Sequence, residues 1–330
     1  MSNRKVKQYE VASTFGIQAP KSVTILGFEP DPNAPGAHYI PKVDPDYVFR
    51  PDLLRDLLGW WRMSYDGILP EDGFMAYGPK GSGKTSLINQ VAAHLNIPVL
   101  ELTGHGRLEC SDLIGSNTVI GGDIMFADGP FTIAARIGGW VLVNETDAID
   151  PSQQIGLNSL AERRPFLIPE TGERVVPDEY FRFIATGNTN LGGDQTGLFA
   201  GTQQQNSAFA DRFFMTEIGY PEPALEDAIL KKLAPAITDD VRGKMIEFAN
   251  MIRKLFNGEE VKGMSNAGSL EITMSTRTLV RWAKLTWFFQ AVPVPIAYAL
   301  DRALGFQADV DTRTVLHEVL QRVFGQGGKP

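Results

Sequence analysis

A glycine-rich run between two apolar segments constrains this chain more than any other feature. The run is Gly78-Pro79-Lys80-Gly81-Ser82-Gly83-Lys84-Thr85, and it fits the pattern GxxxxGK[ST]. Residues 74–77 before it are apolar and predict a strand, whereas residues 87–95 after it place apolar side chains on one face of a helix. When a glycine-rich turn joins a strand to a helix in this order, the backbone N–H groups of the turn surround a phosphate.

The side chains of this loop match the chemistry of a nucleotide triphosphate. We expect Lys84 to reach the β- and γ-phosphates, and Thr85 to supply a hydroxyl to the Mg²⁺ that bridges them. The predicted ligands are therefore ATP and Mg²⁺. A glycine-rich turn before an ordinary helix is the alternative, and the register of both flanking segments disfavours it. The residues predicted to contact the nucleotide are Gly78, Pro79, Lys80, Gly81, Ser82, Gly83, Lys84, Thr85 and Ser86.

A second polar site follows the apolar run 140–143. P-loop NTPases usually carry an Asp here that holds Mg²⁺, but Asn144 is a neutral carboxamide. We predict that Thr85 and Asn144 hold the metal, with Asn144 acting through a water and more weakly than an Asp would. Glu145 is the candidate to orient and deprotonate the attacking water. Asp147 is a candidate for a compensating carboxylate, and a strand end with solvated polar residues is the alternative to the whole site.

Composition and charge narrow the class of protein. The chain has 330 residues, of which 43% are apolar and 21% charged, enough for two or three packed units. Its net charge of −8 argues against a protein that grips nucleic acid through its overall field. The single cysteine, Cys110, forms no internal disulfide. Residues 1–8 lack the apolar core of a secretory signal, and no segment reads as a membrane helix, so we expect a cytoplasmic protein.

The pattern along the chain predicts three regions. Clustered turn-forming prolines in residues 1–50 predict an extended N-terminal arm. Short apolar runs alternate with helical segments over residues 51–220, which is typical of a parallel sheet with helices on both faces. Residues 221–330 read as a small helical domain, whose last helix is predicted to start near residue 311 or 312. The predicted strands are 73–77, 99–102, 140–143, 181–186 and 214–218, and the predicted hairpins are 118–126 and 165–177.

These residues resemble the MoxR branch of the AAA+ ATPases, and within it the CobS-type ATPase subunits of aerobic cobaltochelatase. The resemblance implies a P-loop AAA+ domain with the strand order 5-1-4-3-2, followed by an all-α lid domain. It covers nearly the whole chain. The segments that carry it are 15–17, 39–49, 111–115, 185–189, 193–198 and 201–204.

The resemblance also implies three roles in catalysis. Asn188 would be the sensor-1 residue, which holds the attacking water or the γ-phosphate. Arg212 would be the arginine finger that reaches the nucleotide of a neighbouring subunit, and Arg277 would be the sensor-2 residue. An arginine fork suits the charge that spreads over a transferring phosphoryl group. The alternatives are a turn cap for Asn188, a pair with a surface acid for Arg212 and a solvated first-turn position for Arg277.

The function that the resemblance implies is the remodelling of a partner protein by a hexameric ring. The partner class would be a von Willebrand A-type protein, as in a CobS-like metal chelatase, with the chelation chemistry on another subunit. Two alternatives stay open at this point. One is a nucleic-acid-directed motor, against which the acidic charge counts, and the other is a nucleotide-binding scaffold with little hydrolysis, which Asn144 suggests.

Overall fold

The computed structural model describes residues 4–193, 207–261 and 270–325. The family-like segments 194–198 and 201–204 therefore lie outside the described residues. The chain divides into two compact units, of which the first holds Met1–Pro45, Phe49–Pro79 and Gly83–Ile218. The second holds Asp46–Val48, Lys80–Ser82 and Gly219–Pro330. The domain boundaries at residues 50 and 220 stay predictions.

The N-terminal segment contains regular structure in addition to its proline turns. Strands β1 (Val6–Glu10) and β2 (Thr24–Phe28) pair antiparallel, with helix α1 (Val11–Phe15) between them. Ile25 and Phe28 are buried, so this segment contributes to the packing of the first unit. Helix α2 (Pro51–Tyr65) follows, with Pro51 in its first turn, where the fixed φ of proline suits a helix start.

A five-stranded parallel sheet forms the centre of the first unit. The strands are β3 (Gly73–Tyr77), β4 (Val99–Thr103), β7 (Trp140–Asn144), β10 (Arg182–Gly187) and β11 (Phe213–Glu217). In space they lie in the order β11-β3-β10-β7-β4. Counted along the chain, this order is 5-1-4-3-2, which confirms the predicted fold class.

Helices cover both faces of this sheet. Alternate residues of a strand point to opposite faces, so Trp140 and Val141 mark the two sides. Trp61 of α2 packs edge-on against Trp140 with ring centroids 5.4 Å apart. Phe131 lies in one hydrophobic cluster with Val141 on the other side. The helices between the strands are α3 (Lys84–Leu95), α4 (Cys110–Ile114), α5 (Pro130–Ile137), α6 (Pro151–Ala161) and α7 (Ser207–Ala210).

Both predicted hairpins form. Strands β5 (Gly115–Ile120) and β6 (Asp123–Asp128) pair antiparallel, as do β8 (Phe166–Ile168) and β9 (Glu173–Val175). Arg136 of α5 forms ion pairs of 2.7 Å with Asp128 and with Glu173, and so links the two hairpins. The β8–β9 hairpin is anchored by buried Ile168, whereas the β5–β6 hairpin exposes apolar side chains.

The second unit is helical. Its core includes Phe248 and Trp282, whose rings lie 4.9 Å apart. The last helix begins at Val310, slightly earlier than predicted, because Asp309 caps it and accepts a hydrogen bond of 2.7 Å from the N–H of Thr312. The bounds are α8 (Pro223–Leu233), α9 (Asp239–Phe256), α10 (Thr276–Phe288), α11 (Pro295–Ala303) and α12 (Val310–Phe324).

Among the helices in the described ranges, none combines the length and the apolar character needed to cross a membrane.

Candidate nucleotide site

The glycine-rich run connects β3 to α3, as the motif requires. Gly78 adopts a φ of 140°, and a β-carbon there would collide with the carbonyl of Ile218, so only glycine fits. Gly83 adopts a φ of 99° directly before the first residue of α3. The N–H groups in the first turn of a helix have no partner within that helix. This loop and helix start therefore present backbone donors to an anion.

Lys84 lies on the inner side of the loop. Its ammonium donates hydrogen bonds to the backbone carbonyls of Gly78 at 2.7 Å and Pro79 at 3.0 Å. An ammonium offers three donors and no acceptor, so the same group can turn toward phosphate oxygens. The loop thus combines a positive charge with a helix N-terminus, which is the arrangement that binds a polyphosphate.

The amide of Asn144 connects the loop to the sheet. Its Oδ1 accepts hydrogen bonds from the hydroxyls of Thr85 at 2.6 Å and Thr186 at 2.9 Å. The Asn144 side chain is buried, with 8% of the residue exposed. The structure therefore brings the two predicted metal-site residues, Thr85 and Asn144, into direct contact at the carboxyl edge of β7. This edge is where open α/β sheets bind their ligands.

A carboxylate that no motif indicated also lies in this cluster. Glu101 of β4 accepts hydrogen bonds from the Asn144 amide at 2.7 Å and from the Asn89 amide at 2.8 Å. Strand β4 lies beside β7, with Thr103 paired to Asn144 and Glu101 paired to Leu142. Glu101 and Asn144 therefore share one face of the sheet. The only available signal was a charged residue within the apolar strand 99–103, and it becomes informative once the strand order is known.

Glu145 directly follows β7 and is exposed. Its backbone is left-handed, with φ 53° and ψ 43°. A side chain in this region costs about 1 kcal/mol, and non-glycine residues seldom adopt it. The candidate base is thus a solvent-accessible carboxylate on a strained turn at the nucleotide edge of the sheet, a combination that is common at functional sites.

Asp147 organises the end of β10. Its Oδ2 accepts hydrogen bonds from the backbone N–H groups of Asn188 at 2.7 Å and Thr189 at 2.9 Å, and from the Thr189 hydroxyl at 3.1 Å. The residue is fully buried. Sequence reasoning offered Asp147 as a carboxylate for Asn144, but in the structure Asp147 holds residues 188 and 189, and the carboxylate beside Asn144 is that of Glu101.

Arg212 lies at the opposite edge of the sheet. It immediately precedes β11, and its carbonyl accepts a hydrogen bond from the N–H of Gly73 at the start of β3. The glycine-rich loop begins at the other end of β3. Over the five residues of this strand, at about 3.3 Å per residue, the loop is roughly 16 Å from Arg212. The Arg212 side chain forms an ion pair of 2.9 Å with Glu162, which also pairs with Arg164 at 2.8 Å.

Arg277 is an exposed residue in the first turn of α10, within the helical unit. The first unit brings Lys84, Thr85, Asn144, Glu145 and Asn188 to one edge of its sheet.

Cys110 lies outside this edge cluster, and burial raises the pKa of its thiol, which favours the protonated form. Within the described residues, no group of three or more His, Cys, Asp or Glu side chains is placed to hold a metal ion.

The fold and the loop together define a P-loop ATPase with a helical C-terminal domain. Residues 73–213 match the family described as "AAA domain (dynein-related subfamily)", and residues 226–323 match "CbbQ/NirQ/NorQ C-terminal". The aerobic cobaltochelatase subunit CobS of Sinorhizobium sp is 30% identical over 315 residues, covering 91% of this chain and 89% of CobS. The chain belongs to the MoxR-type AAA+ ATPases.

Two further relatives agree with this assignment, and a solved structure shares the fold. Protein NorQ of Paracoccus denitrificans is 30% identical and covers 75% of this chain and 85% of its own length. The denitrification regulatory protein NirQ of Stutzerimonas stutzeri is 26% identical, covering 63% and 70%. A mutant of RuvB from Thermotoga maritima shares the fold with a TM-score of 0.50 at 14% identity, covering 86% of this chain and 74% of that structure.

Proposed function

We propose that this ATPase works as a hexameric ring that hydrolyses ATP between neighbouring subunits and uses the energy to remodel a partner protein. One subunit contributes Lys84, Glu145 and Asn188, and its neighbour contributes Arg212. The observation that carries this proposal is the position of Arg212 at the edge of the sheet opposite its own loop. An arginine so placed is too far to serve its own nucleotide, whereas a head-to-tail ring brings it to the next subunit's site.

Within each site, the proposed roles follow the charge of the reaction. Glu145 orients and deprotonates the attacking water, and Asn188 holds that water or the γ-phosphate. Arg212 of the neighbouring subunit stabilises the charge on the transferring phosphoryl group. We assign Arg277 the sensor-2 role from the helical domain. The contacts of the nucleotide itself are proposed to come from residues 78–86.

Thr85 and Asn144 fit a Mg²⁺ ion by the chemistry of their donors. Mg²⁺ prefers oxygen ligands and keeps several of its waters. Thr85 would offer a hydroxyl oxygen as a ligand, and Asn144 would act on the metal through a water or through the hydroxyl of Thr85, with which it shares a hydrogen bond. When bound, the ion neutralises charge on the β- and γ-phosphates.

The β5–β6 hairpin supports the remodelling role. Val119, Ile124 and Met125 are 69%, 76% and 52% exposed on a two-stranded hairpin, where water contact is unfavourable for apolar groups. Exposed apolar clusters of this kind mark contacts with other proteins. CobS is described as a subunit of a cobaltochelatase, so at least one relative works within a larger enzyme. We propose a von Willebrand A-type partner and a role in a CobS-like metal chelatase.

Mixed assembly tests the shared site. Lys84→Ala and Arg212→Ala proteins should each lose ATPase activity, and mixing them should restore part of it. Random mixing gives about one interface in four with an intact loop on one side and an intact arginine on the other. Arg164→Ala, which removes the other arginine paired to Glu162, should keep wild-type activity on its own and is the matched control for the loss of one arginine. The absence of recovery in assembled mixtures would reject Arg212 as a finger.

Addition of partners tests the work performed. A purified von Willebrand A-type partner should stimulate ATP turnover, and Ile124→Asp in the hairpin should abolish the stimulation without changing basal turnover. Stimulation by DNA instead, with binding that weakens steeply as salt rises, would identify a nucleic-acid motor and overturn the proposed partner class.

A further inference from the structure

The orientation of the Asn144 amide is fixed by one neighbour. A hydroxyl can donate or accept, so Thr85 and Thr186 would tolerate either end of an amide. A carboxylate only accepts, and Glu101 lies 2.7 Å from the amide nitrogen of Asn144. The NH₂ group must therefore face Glu101, and the carbonyl oxygen must face Thr85.

This orientation determines what Thr85 can offer a metal ion. With Oδ1 of Asn144 as an acceptor at 2.6 Å, the hydroxyl proton of Thr85 is directed toward Asn144. The oxygen lone pairs of Thr85 are then directed away from that bond and toward other ligands. If the amide were reversed, its NH₂ group would donate to Thr85 and occupy one of those lone pairs. A single amide flip would thus weaken Thr85 as a ligand.

Glu101 is itself held in place from two sides. One carboxylate oxygen accepts from Asn144 of β7 and the other accepts from Asn89 of α3. Asn89 lies four residues beyond Thr85 on the same helix, so the carboxylate is tied to the helix that carries the proposed metal ligand. Apart from these two hydrogen bonds, Glu101 is exposed to solvent.

We propose that Glu101 is a positioning residue for Mg²⁺. It orients the Asn144 amide, and through that amide it supplies the negative charge that an Asp at position 144 would provide directly. This inference rests on the proposed metal role of Thr85 and Asn144. The carboxylate stands on β4 instead of on the adjacent strand β7, and the amide of Asn144 transmits its effect. Outer partners of this kind change metal affinity about 10- to 100-fold.

The test compares three forms of the full-length protein, which differ only in where a carboxylate stands. They are the wild type, Glu101→Gln, which has none, and the double variant Glu101→Gln/Asn144→Asp, which moves it to position 144. The readout is the affinity of a fluorescent ADP analogue with and without Mg²⁺, together with Mn²⁺ binding followed by electron paramagnetic resonance. Glu170→Gln, at an exposed site in the β8–β9 turn, is the matched control for loss of one charge.

We expect Glu101→Gln to bind the analogue normally without metal but to lose about 10-fold or more in Mg²⁺ and Mn²⁺ affinity. The double variant should recover most of that loss, and Glu170→Gln should match the wild type. The role of Glu101 would be overturned if Glu101→Gln kept the wild-type metal affinity, or if Asn144→Asp failed to recover the loss. Either result would leave the proposed roles of Thr85 and Asn144 standing. If nucleotide binding by the wild type is independent of metal, the proposed roles of Thr85 and Asn144 fail as well.

Discussion

Two polar clusters lie at the carboxyl end of β7, one centred on the amide of Asn144 and the other on the carboxylate of Asp147. In the first, a neutral group is buried and the charge lies outside it on Glu101. In the second, the charge itself is fully buried and two of its three donors on residues 188 and 189 are backbone N–H groups. The buried group at the centre is therefore neutral in the Asn144 cluster and a carboxylate in the Asp147 cluster.

The difference indicates separate tasks for the two clusters. Hydrogen bonds between side chains can be rearranged by rotation about side-chain bonds, so the Asn144 cluster can respond to a ligand. Hydrogen bonds to backbone N–H groups fix the path of the chain, so the Asp147 cluster holds the segment that carries Asn188. A buried charge with several donors is also expensive to disturb.

The largest expected effect belongs to Glu145, which stands between Asn144 and Asp147 in the sequence. Glu145→Gln removes the proposed base and should lower ATP turnover by about 10²- to 10⁴-fold, because a carboxamide cannot accept the proton of the attacking water. Nucleotide affinity should stay at the wild-type value, and Glu170→Gln should leave turnover unchanged. Steady-state ATPase assays and equilibrium binding measure both quantities. Normal turnover in Glu145→Gln would remove the residue from catalysis.

A smaller effect separates the two clusters by stability. Asp147→Ala leaves the N–H groups of residues 188 and 189 without their acceptor and should lower the free energy of unfolding by about 2 kcal/mol. Asn144→Ala should lower it by only about 1 kcal/mol, since Glu101 is exposed and the two hydroxyls can reorient. Urea unfolding monitored by circular dichroism gives both values. Equal losses would show that the two clusters do not differ as described.

The smallest expected effect tests a single donor of the Asn144 cluster. Thr186→Val keeps the shape of a buried side chain and removes one hydrogen bond to Oδ1, so we expect a loss of about 1 kcal/mol in unfolding free energy. Affinity for ADP without metal should not change, because the hydrogen bond of the Thr186 hydroxyl goes to Asn144. A large loss of metal-free binding would show that the cluster supports the loop more directly than its hydrogen bonds indicate.

The parts of the molecule that sequence reasoning could predict are those built from contiguous residues. The run 78–85 directly follows its strand and leads into its helix, so all three parts lie in one contiguous segment. The apolar strands are visible as runs. Glu101 was missed because its contact with Asn144 joins residues far apart in the chain and exists only through the adjacency of β4 and β7. The pairing of β1 with β2 was hidden for the same reason, since Val6–Glu10 is no more apolar than a loop.

Backbone acceptors and donors are a second limit on prediction. Asp147 could be recognised as an acid near the site, but its partners are the N–H groups at positions 188 and 189, which carry no signal in the side-chain sequence. The ion pair between Arg212 and Glu162 was open to prediction only as a pair with some surface acid. The roles of Asn188, Arg212 and Arg277 in catalysis stay predictions, and the mixed-assembly experiment tests that of Arg212.

The left-handed backbone at Glu145 sets stability and chemistry against each other at one residue. Glycine adopts this conformation without the steric penalty of a β-carbon, so glycine there would relieve about 1 kcal/mol of strain. It would also delete the carboxylate on which hydrolysis is proposed to depend. A search for thermally stabilised variants that ignored activity would therefore favour glycine at position 145 and would enrich proteins that fold better and work less.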